Sequence, residues 1–438
     1  MDWDTGNAAW MLTSASLVLL MTPGLAFFYG GMVRGKSVLN MMMMSFGAMG
    51  VVGVVYVLWG WSMSYGADVA GLFGNPFDQF GLSGTLVADG VPVAGLGNYP
   101  QAIDVAFQVT FAIITVALIS GALADRTRFS TWLVFAGAWA TLVYFPMAHM
   151  VWGGGLLSGA ETGLAAKLFG VTDGAATVAP IDFAGGTVVH INAGVAALVL
   201  ALIIGRRKGF GTEPMRPHNL PFVMLGAALL WFGWFGFNAG SAFGADATAG
   251  LAWVNTTAAT CAAMLGWLLT ERIRDGHATS LGAASGVVAG LVAITPAAGA
   301  LNPVTSLILG AVAGGLSALA VGLKYKLGFD DSLDVVGVHL VSGFWGTIGV
   351  GLLGDGVGLF LGGGIRQFVV QLVIAVVAIL VSGVLTLVIG LVLQRFMGWR
   401  VSHEAEVGGI DLAEHGETGY ETLAQATVLG RENKEIRV

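Results

Sequence analysis

The sequence predicts an all-α polytopic membrane protein: eleven transmembrane helices, read as two inverted five-helix repeats plus one extra helix. Three observations lead there. The 438 residues are 56% hydrophobic and 10% charged, with 68 glycines, and runs of about 20 apolar residues recur along the whole length. Such a composition, with a mean hydropathy of +0.81, excludes an ordinary soluble domain. The basic residues alternate sides when the apolar runs are counted as crossings. Finally, the stretch 182–194 sets Asp182 and His190 among Val, Ile, Ala and Gly, and a similar stretch recurs around His339, 149 positions after His190.

In order, the spans fall at about 8–31, 38–65, 102–124, 130–152, 183–205, 220–242, 249–271, 280–296, 302–326, 335–354 and 367–397. Spans of about 17–25 residues suit a hydrocarbon core of about 30 Å, and longer ones tilt or protrude. The shortest, 280–296, is the weakest candidate for a full crossing. Abundant Gly, Ala and Ser let such helices approach closely. Of the 19 basic residues, 17 fall on one side, from Arg34 and Lys36 through Arg126, Arg207 and Lys324 to Arg395, Arg431, Lys434 and Arg437. The other side receives Lys167 and Arg366. By the positive-inside rule the N-terminus is outside and the C-terminus cytoplasmic, and an even number of spans would scramble the alternation. The opening Met1, Asp2, Trp3 and Asp4 lack the basic region of a cleaved signal, so the first helix is expected to do its own targeting.

The first five spans and the next five form halves of similar length, and an odd number of helices per half inverts the second relative to the first. The expected organisation is a transmembrane domain, 1–397, with repeats at about 8–205 and 220–354 and an eleventh helix at 367–397, then a cytoplasmic tail, 398–438. The tail is polar and acidic, with Glu404, Glu406, Asp411, Glu414, Glu417 and Glu421. Two outer loops are long. Residues 66–101 carry Asp68, Asp78 and Asp89 without Lys or Arg, and 153–182 carry Glu161, Asp173 and Asp182 against Lys167. An outer face poor in positive charge is compatible with an approaching cation, although solvated loops account for each carboxylate singly. The net charge of −7 gives no sign of nucleic-acid binding.

Chemistry narrows to a few residues. His218, His277, His403 and His415 fall in cytoplasmic loops or the tail and read as solvated, and His149 reads as interfacial at the outer end of the fourth span. His190 and His339 differ because their neighbours are Val, Ile, Leu, Gly and Ala. An ionisable residue inside a span is costly and faces a partner or an aqueous path. Two separate core histidines, each bonded to a carbonyl, are the plain alternative; equivalent positions in two repeats argue against it. A metal site needs three or four ligands, and the spans offer no third deep histidine, no useful cysteine beside the lone Cys261 and no His-Glu-x-x-His pattern. No metal or other cofactor is therefore expected. Two adjacent neutral imidazoles instead share a proton, one donating and one accepting. They would line a narrow, dry pore for a small neutral hydrogen-bonding molecule or a proton relay.

Aromatics form the next feature. Trp231, Phe232, Trp234, Phe235 and Phe237 crowd 231–243, beside Asn238 and Ser241. Phe107 and Phe111 are one helical turn apart and share a face. Trp152 ends the fourth span. Singly these read as lipid-facing or interfacial rings. Together, aromatic faces beside a hydroxyl hold a small cation without a countercharge, at about 0.5–2 kcal/mol per contact. Asp182 and Asp334 each precede a span, where a carboxylate serves as a helix cap more readily than as a counterion.

Five stretches carry a family resemblance: 23–31 (Pro-Gly-Leu-Ala-Phe-Phe-Tyr-Gly-Gly), 148–155 (Ala-His-Met-Val-Trp-Gly-Gly-Gly), 182–192 (Asp-Phe-Ala-Gly-Gly-Thr-Val-Val-His-Ile-Asn), 234–241 (Trp-Phe-Gly-Phe-Asn-Ala-Gly-Ser) and 334–339 (Asp-Val-Val-Gly-Val-His). Along nearly its whole length the chain resembles the ammonium transporter (Amt/Mep/Rh) family, and the bacterial Amt type within it. The resemblance implies an eleven-helix bundle with a pseudo-twofold axis in the membrane plane, a homotrimer in the plasma membrane (the bacterial inner membrane) with one pore per subunit, and a role in nitrogen uptake rather than an enzyme activity. It maps the outer ammonium site onto Phe107, Phe111, Trp152 and Ser241, a phenyl gate onto Phe111 and Phe237, and the pore pair onto His190 and His339. Asp182 matches an aspartate with a structural role. The tail run 409–417 is similar to the family's cytoplasmic regulatory tail, and some members bind PII-type signalling proteins on that face.

The mechanism so implied is an ammonium ion held at the mouth, deprotonated near the gate and conducted as ammonia, with or without relay of its proton. Residue types leave open whether the flux is electrogenic. Two rivals stand beside it: an ammonium sensor that binds with little flux, against which the short tail without a recognisable output domain speaks, and an intramembrane metal-dependent enzyme.

Overall fold

Among the described residues, eleven helices run back and forth between two faces of a single bundle. The computed structural model describes residues 2–420; Glu421, Arg431, Lys434 and Arg437 of the tail lie outside the described residues. The helices are α1 (Thr5–Met32), α2 (Val38–Tyr65), α3 (Ala102–Leu123), α4 (Phe129–Trp152), α5 (Gly186–Ile204), α6 (Leu220–Ala242), α7 (Ala247–Asp275), α8 (Ser280–Ile294), α9 (Pro303–Leu327), α10 (Val336–Leu353) and α11 (Arg366–Phe396). Nine are long and apolar enough to cross a membrane by themselves. The other two are α7, which carries Asn255, Thr256, Thr260 and Glu271, and the short α8.

The loops settle α8. Arg274 Nη1, at the end of α7, donates to Ala318 O near the end of α9 (2.5 Å), so the 276–279 turn lies on the face where α9 ends. At its other end, the turns that follow α8 meet the opposite loops: Phe183 N donates to Pro296 O (3.1 Å) and Asp355 N to Ala300 O (2.8 Å). α8 therefore crosses. Its 15 residues span only about 22 Å at 1.5 Å per residue, but nearly all are buried against neighbouring helices rather than lipid. Residues 295–301 complete the passage as turns.

The halves are related as inverted repeats. α1 packs along α6 and α5 crosses α10, each pair joining equivalent helices of the two halves. α2 pairs with α4 as α7 pairs with α9, and α11 lies over α5 and α10. On one face lie three small antiparallel hairpins, beginning at Asp68, Val87 and Val171, with the N-terminus tied to them through Asp4 N to Asn98 O (2.9 Å). The other face is basic. There Arg207 grips Asp330 through Nε and Nη2 (both 2.9 Å) and Asp125 through Nη1 (3.1 Å). Arg126 donates to Asp330 O (2.7 Å) and Ala122 O (2.9 Å). The ends of α3, α5 and α9 are thus tied by one buried network.

Acidic side chains of the tail cap helices on this face. Asp411 accepts from Leu39 N (3.0 Å) and Asn40 N (2.8 Å) at the start of α2, and Glu414 from Phe129 N (2.9 Å) at the start of α4. A carboxylate at a helix N-terminus meets unpaired donors and the positive end of the dipole. Of the loop and tail histidines, His277 and His403 are exposed. His218 instead bonds Val33 O (2.9 Å), and His415 bonds Asn40 Oδ1 (3.0 Å), because the chain around each is docked and not solvated.

Burial would raise the Asp330 carboxyl, but the Arg207 and Arg126 guanidiniums outweigh it and hold the group below the usual carboxylate range. A depressed folded value means stability that is present above the ordinary carboxylate pKa of about 3.9 and lost as pH falls through the folded value. Asp330→Asn should leave Arg207 buried with a weakened partner and destabilise the protein by about 3–5 kcal/mol, with a flatter acid limb below about pH 4. Thermal unfolding in detergent across pH measures both.

Candidate functional site

The site begins with how closely α5 and α10 cross. A Cβ on Gly194 would stand 2.6 Å from Leu340 N, and one on Gly343 would stand 2.9 Å from His190 Cβ. These glycines are the fourth residues after His190 and His339; Gly343 leaves room for the His190 side chain, and Gly194 leaves room for the backbone at Leu340, the residue after His339. The rings then face one another, with Nδ1 to Nδ1 3.3 Å, centroids 5.4 Å apart and planes at 22°. Both are buried, at 1% and 3% exposure.

Each histidine sits in a wide turn. Gly186–Ile191 at the start of α5 and Val336–Leu340 at the start of α10 are π-helical. Such turns rotate a side chain off the regular helical face and recur at functional sites. The cap that starts α5 is Asp182. Its carboxylate accepts from Gly185 N (3.0 Å), Gly186 N (2.5 Å), Thr187 N (2.9 Å) and Val188 N (3.3 Å), and also from the Thr187 hydroxyl. In the second repeat the equivalent group is not Asp334. Asp331 accepts from Val335 N (3.0 Å) and Val336 N (2.7 Å), whereas Asp334 pairs with Lys324 Nζ (2.6 Å). The cap expected of Asp334 is thereby corrected. The cap lies eight residues before the histidine in both halves, and Asp334 is too close to its helix start to fold back over it.

Towards the hairpin face the aromatics line up in file. Phe111 of α3 and Phe237 of α6 stack with centroids 4.1 Å apart at 21°. Phe107 meets Phe111 edge-on at 4.8 Å, and Trp152 stands edge-on to Phe111 at 6.2 Å. Phe237 lies in its own π-helical turn, Phe235–Ala239, with Ser241 one turn beyond. The Ser241 hydroxyl donates to Phe237 O (2.8 Å), which leaves its oxygen lone pairs free. Trp152 is aimed by its indole N–H to Asp182 O (3.0 Å), so the residue that caps α5 also orients this ring.

Behind the stacked rings lies a narrow apolar cavity bounded by Phe237, His190, His339, Trp234, Leu25 and Ile114, among others. It has room for about one molecule the size of water. No carboxylate bounds it among the described residues. His190 Nε2 is buried there without a partner. If one imidazole donates Nδ1–H to the other's Nδ1, the two Nε2 atoms differ: one bears a lone pair, the other a proton. The pair therefore offers one acceptor and one donor to whatever occupies the cavity. Among the described residues no three His, Cys, Asp or Glu side chains converge as metal ligands do.

Two features escaped the sequence reading. Trp234 stacks on His190 (5.5 Å, 18°) and is held by its indole N–H to Thr295 Oγ1 (2.9 Å). Its place one turn before Phe237 was the available signal, hidden among outward rings such as Phe232, which is 56% exposed, and Phe235, which stacks on Trp253. His149 is not interfacial: it is fully buried and bonded at both nitrogens, because the 68–74 hairpin folds over the end of α4.

Comparisons with known proteins agree with this architecture. The model of the Ammonium Transporter Family matches residues 9–420. The chain is 56% identical to the ammonium transporter of Mycobacterium tuberculosis, covering 97% of this chain and 92% of that one. It is 47% identical to the ammonium transporter of Aquifex aeolicus, covering 95% and 94%. Among solved structures, Mep2 of Candida albicans superimposes with a TM-score of 0.82 at 30% identity, over 95% of this chain and 93% of that one. A protein described as a sensor Amt protein superimposes with a TM-score of 0.83 at 27% identity, over 94% and 98%.

The Asp182 cap yields a prediction. Asp182→Ala strands several buried N–H groups, each at about 1–3 kcal/mol, and should lower thermal stability in detergent well beyond an exposed cap's about 1 kcal/mol. Asp182→Asn, which keeps an acceptor, should fall between.

Proposed function

The chain belongs to the ammonium transporter family, and on that premise we propose that it transports ammonium across a cell membrane, passing it as ammonia along His190 and His339. The single observation that carries this reading is the order of the file: aromatic mouth, stacked phenyl pair, then two facing imidazoles in a cavity without carboxylates. Phe107, Phe111, Trp152 and Ser241 hold the ion. Moving it further in as an ion meets an effective desolvation penalty of several kcal/mol. Two or three cation–π contacts offset part of that at the mouth, at about 0.5–2 kcal/mol each, and none continue through the closed Phe111–Phe237 stack. The ion therefore gives up its proton near the stack. Ammonia enters and meets the histidine Nε2 atoms, one as acceptor and one as donor.

This chemistry also sets selectivity. Sodium finds no carboxylate in the cavity, and potassium, which the aromatic mouth resembles ammonium in holding, has no proton to give up. The proton returns outside, for electroneutral flux, or crosses by the imidazoles, for electrogenic flux. In this reading residues 1–397 are the transporting unit of a homotrimer in the plasma membrane, with the N-terminus outside. Residues 398–438 form a cytoplasmic regulatory tail on the face that would receive a PII-type protein. The 17 basic residues of that side support the orientation. A sensor reading is favoured by one observation, the similarity in fold to a protein described as a sensor.

Purified protein in proteoliposomes given an ammonium pulse decides between them. Current reports charge movement, an internal pH change without current reports neutral flux, and binding with neither supports the sensor. His190→Ala and His339→Ala should each alter flux or its selectivity by at least about tenfold, equivalent to about 1.4 kcal/mol; normal transport by both folded variants would remove the pair from the mechanism. Trp152→Leu should raise the external ammonium concentration for half-maximal uptake about threefold or more, the loss of about 0.5–1 kcal/mol of cation–π attraction.

A further inference from the structure

His149 is a buried ring with a proton-counting constraint. Its Nδ1 lies 3.1 Å from Ser64 O, a carbonyl in the last turn of α2, and its Nε2 lies 2.8 Å from Asp68 Oδ1 in the following hairpin. A carbonyl only accepts. Nδ1 must therefore carry a proton, and a neutral ring would then turn the Nε2 lone pair on a carboxylate oxygen. The geometry is satisfied when the ring carries both protons and Asp68 is ionised. Both neighbours favour that state: the carboxylate by charge, and the carbonyl as one of the unpaired groups at the negative end of a helix.

We propose that Asp68 and His149 form a carboxylate–imidazolium latch that positions Trp152 and so tunes ammonium recruitment at the mouth. The link to Trp152 is short. His149 O accepts from Gly153 N (3.0 Å) and Gly155 N (3.1 Å), and these bonds close the end of α4 directly after Trp152. Asp68 also accepts from Gly71 N (2.9 Å), and Gly71 O accepts from Leu156 N (2.8 Å). The hairpin is thus tied to α4 by the Asp68 carboxylate and to the loop after Trp152 by Gly71 O. Asp68 is half exposed, at 50%, so the latch senses the outer solution. The hydrogen bond from His149 holds the Asp68 carboxyl below its usual range.

The other titratable groups on the elements packed here include Tyr56 and Tyr65 in α2, Tyr144 in α4, and Asp182 and His190 at the start of α5. Asp68 is the carboxylate within 4 Å of the ring among the described residues. Asp182 is engaged in its cap. The latch opens in acid, when Asp68 takes up a proton. It rests on the mouth reading of Trp152 for its functional effect, and on geometry alone for its protonation state.

Two measurements on the full-length protein in liposomes test it. In ¹⁵N-histidine-labelled protein at neutral pH, the signals missing from His149→Gln should both be protonated imidazolium nitrogens, and a non-protonated nitrogen would overturn the latch. Asp68→Asn, at a half-exposed position, should raise the half-saturating ammonium concentration about three- to tenfold with the maximal rate kept, and should flatten its dependence on external pH, while Asp68→Glu restores part of both. Wild-type half-saturation and pH profile in Asp68→Asn would also overturn it. If Trp152→Leu is silent, the mouth reading fails instead, and the nitrogen spectrum still decides the latch.

Discussion

Everything at the centre of this protein depends on the close crossing of α5 and α10. Two glycines, Gly194 against Leu340 and Gly343 against His190, let the two backbones approach, and neither tolerates a Cβ without displacing backbone or the His190 side chain. Without a hydrophobic force between helices in lipid, such small-residue contacts are what bring helices together. Here they also fix the Nδ1–Nδ1 bond, which uses one nitrogen of each ring and leaves the two Nε2 atoms with different roles. The same contact thus holds the halves together and shapes the cavity.

The pseudo-symmetry repeats more than the histidines. In both halves a carboxylate eight residues earlier caps the helix, and the π-helical turn between cap and histidine swings the ring inward. The flanking chemistry does not repeat. Asp182 faces the hairpin side and aims Trp152, whereas Asp331 lies among the charged groups of the basic side, where burial raises its carboxyl to about 6. One symmetric core therefore carries two unlike ends: an aromatic cluster around Phe111 and Trp152, and a basic face tied by Arg207, Asp330 and Asp125. The cavity between them is narrow and apolar and admits about one small molecule, so an unpaired ion placed there would carry the full desolvation penalty of a dry site.

The two faces also differ in what holds them. On the basic face, carboxylates of the tail, Asp411 and Glu414, sit on the starts of α2 and α4, so the tail up to residue 420 is part of the fold. On the hairpin face, loops that looked merely solvated in sequence reach back into the bundle. Asp68 is the sharpest case: one of several acidic loop residues by composition, it holds the only ring nitrogen of His149 left open by Ser64.

The sequence by itself determined the class, the count of eleven crossings, the inverted repeat and the pairing of His190 with His339, because hydropathy, alternating Lys and Arg, and a 149-residue spacing are all local or periodic signals. That spacing also relates Asp182 to Asp331, so the correct cap was legible, yet Asp334 drew the reading by standing nearer its span. Tertiary structure alone decided which of the crowded aromatics point inward, Trp234 and Phe237 rather than Phe232 and Phe235, since rings one to three residues apart differ in facing only once neighbours are packed. It alone joined His149 to a hairpin 81 residues away. No periodicity announces such a contact; it exists because two loops and the end of α4 exclude water from a ring that must then find partners for both its nitrogens.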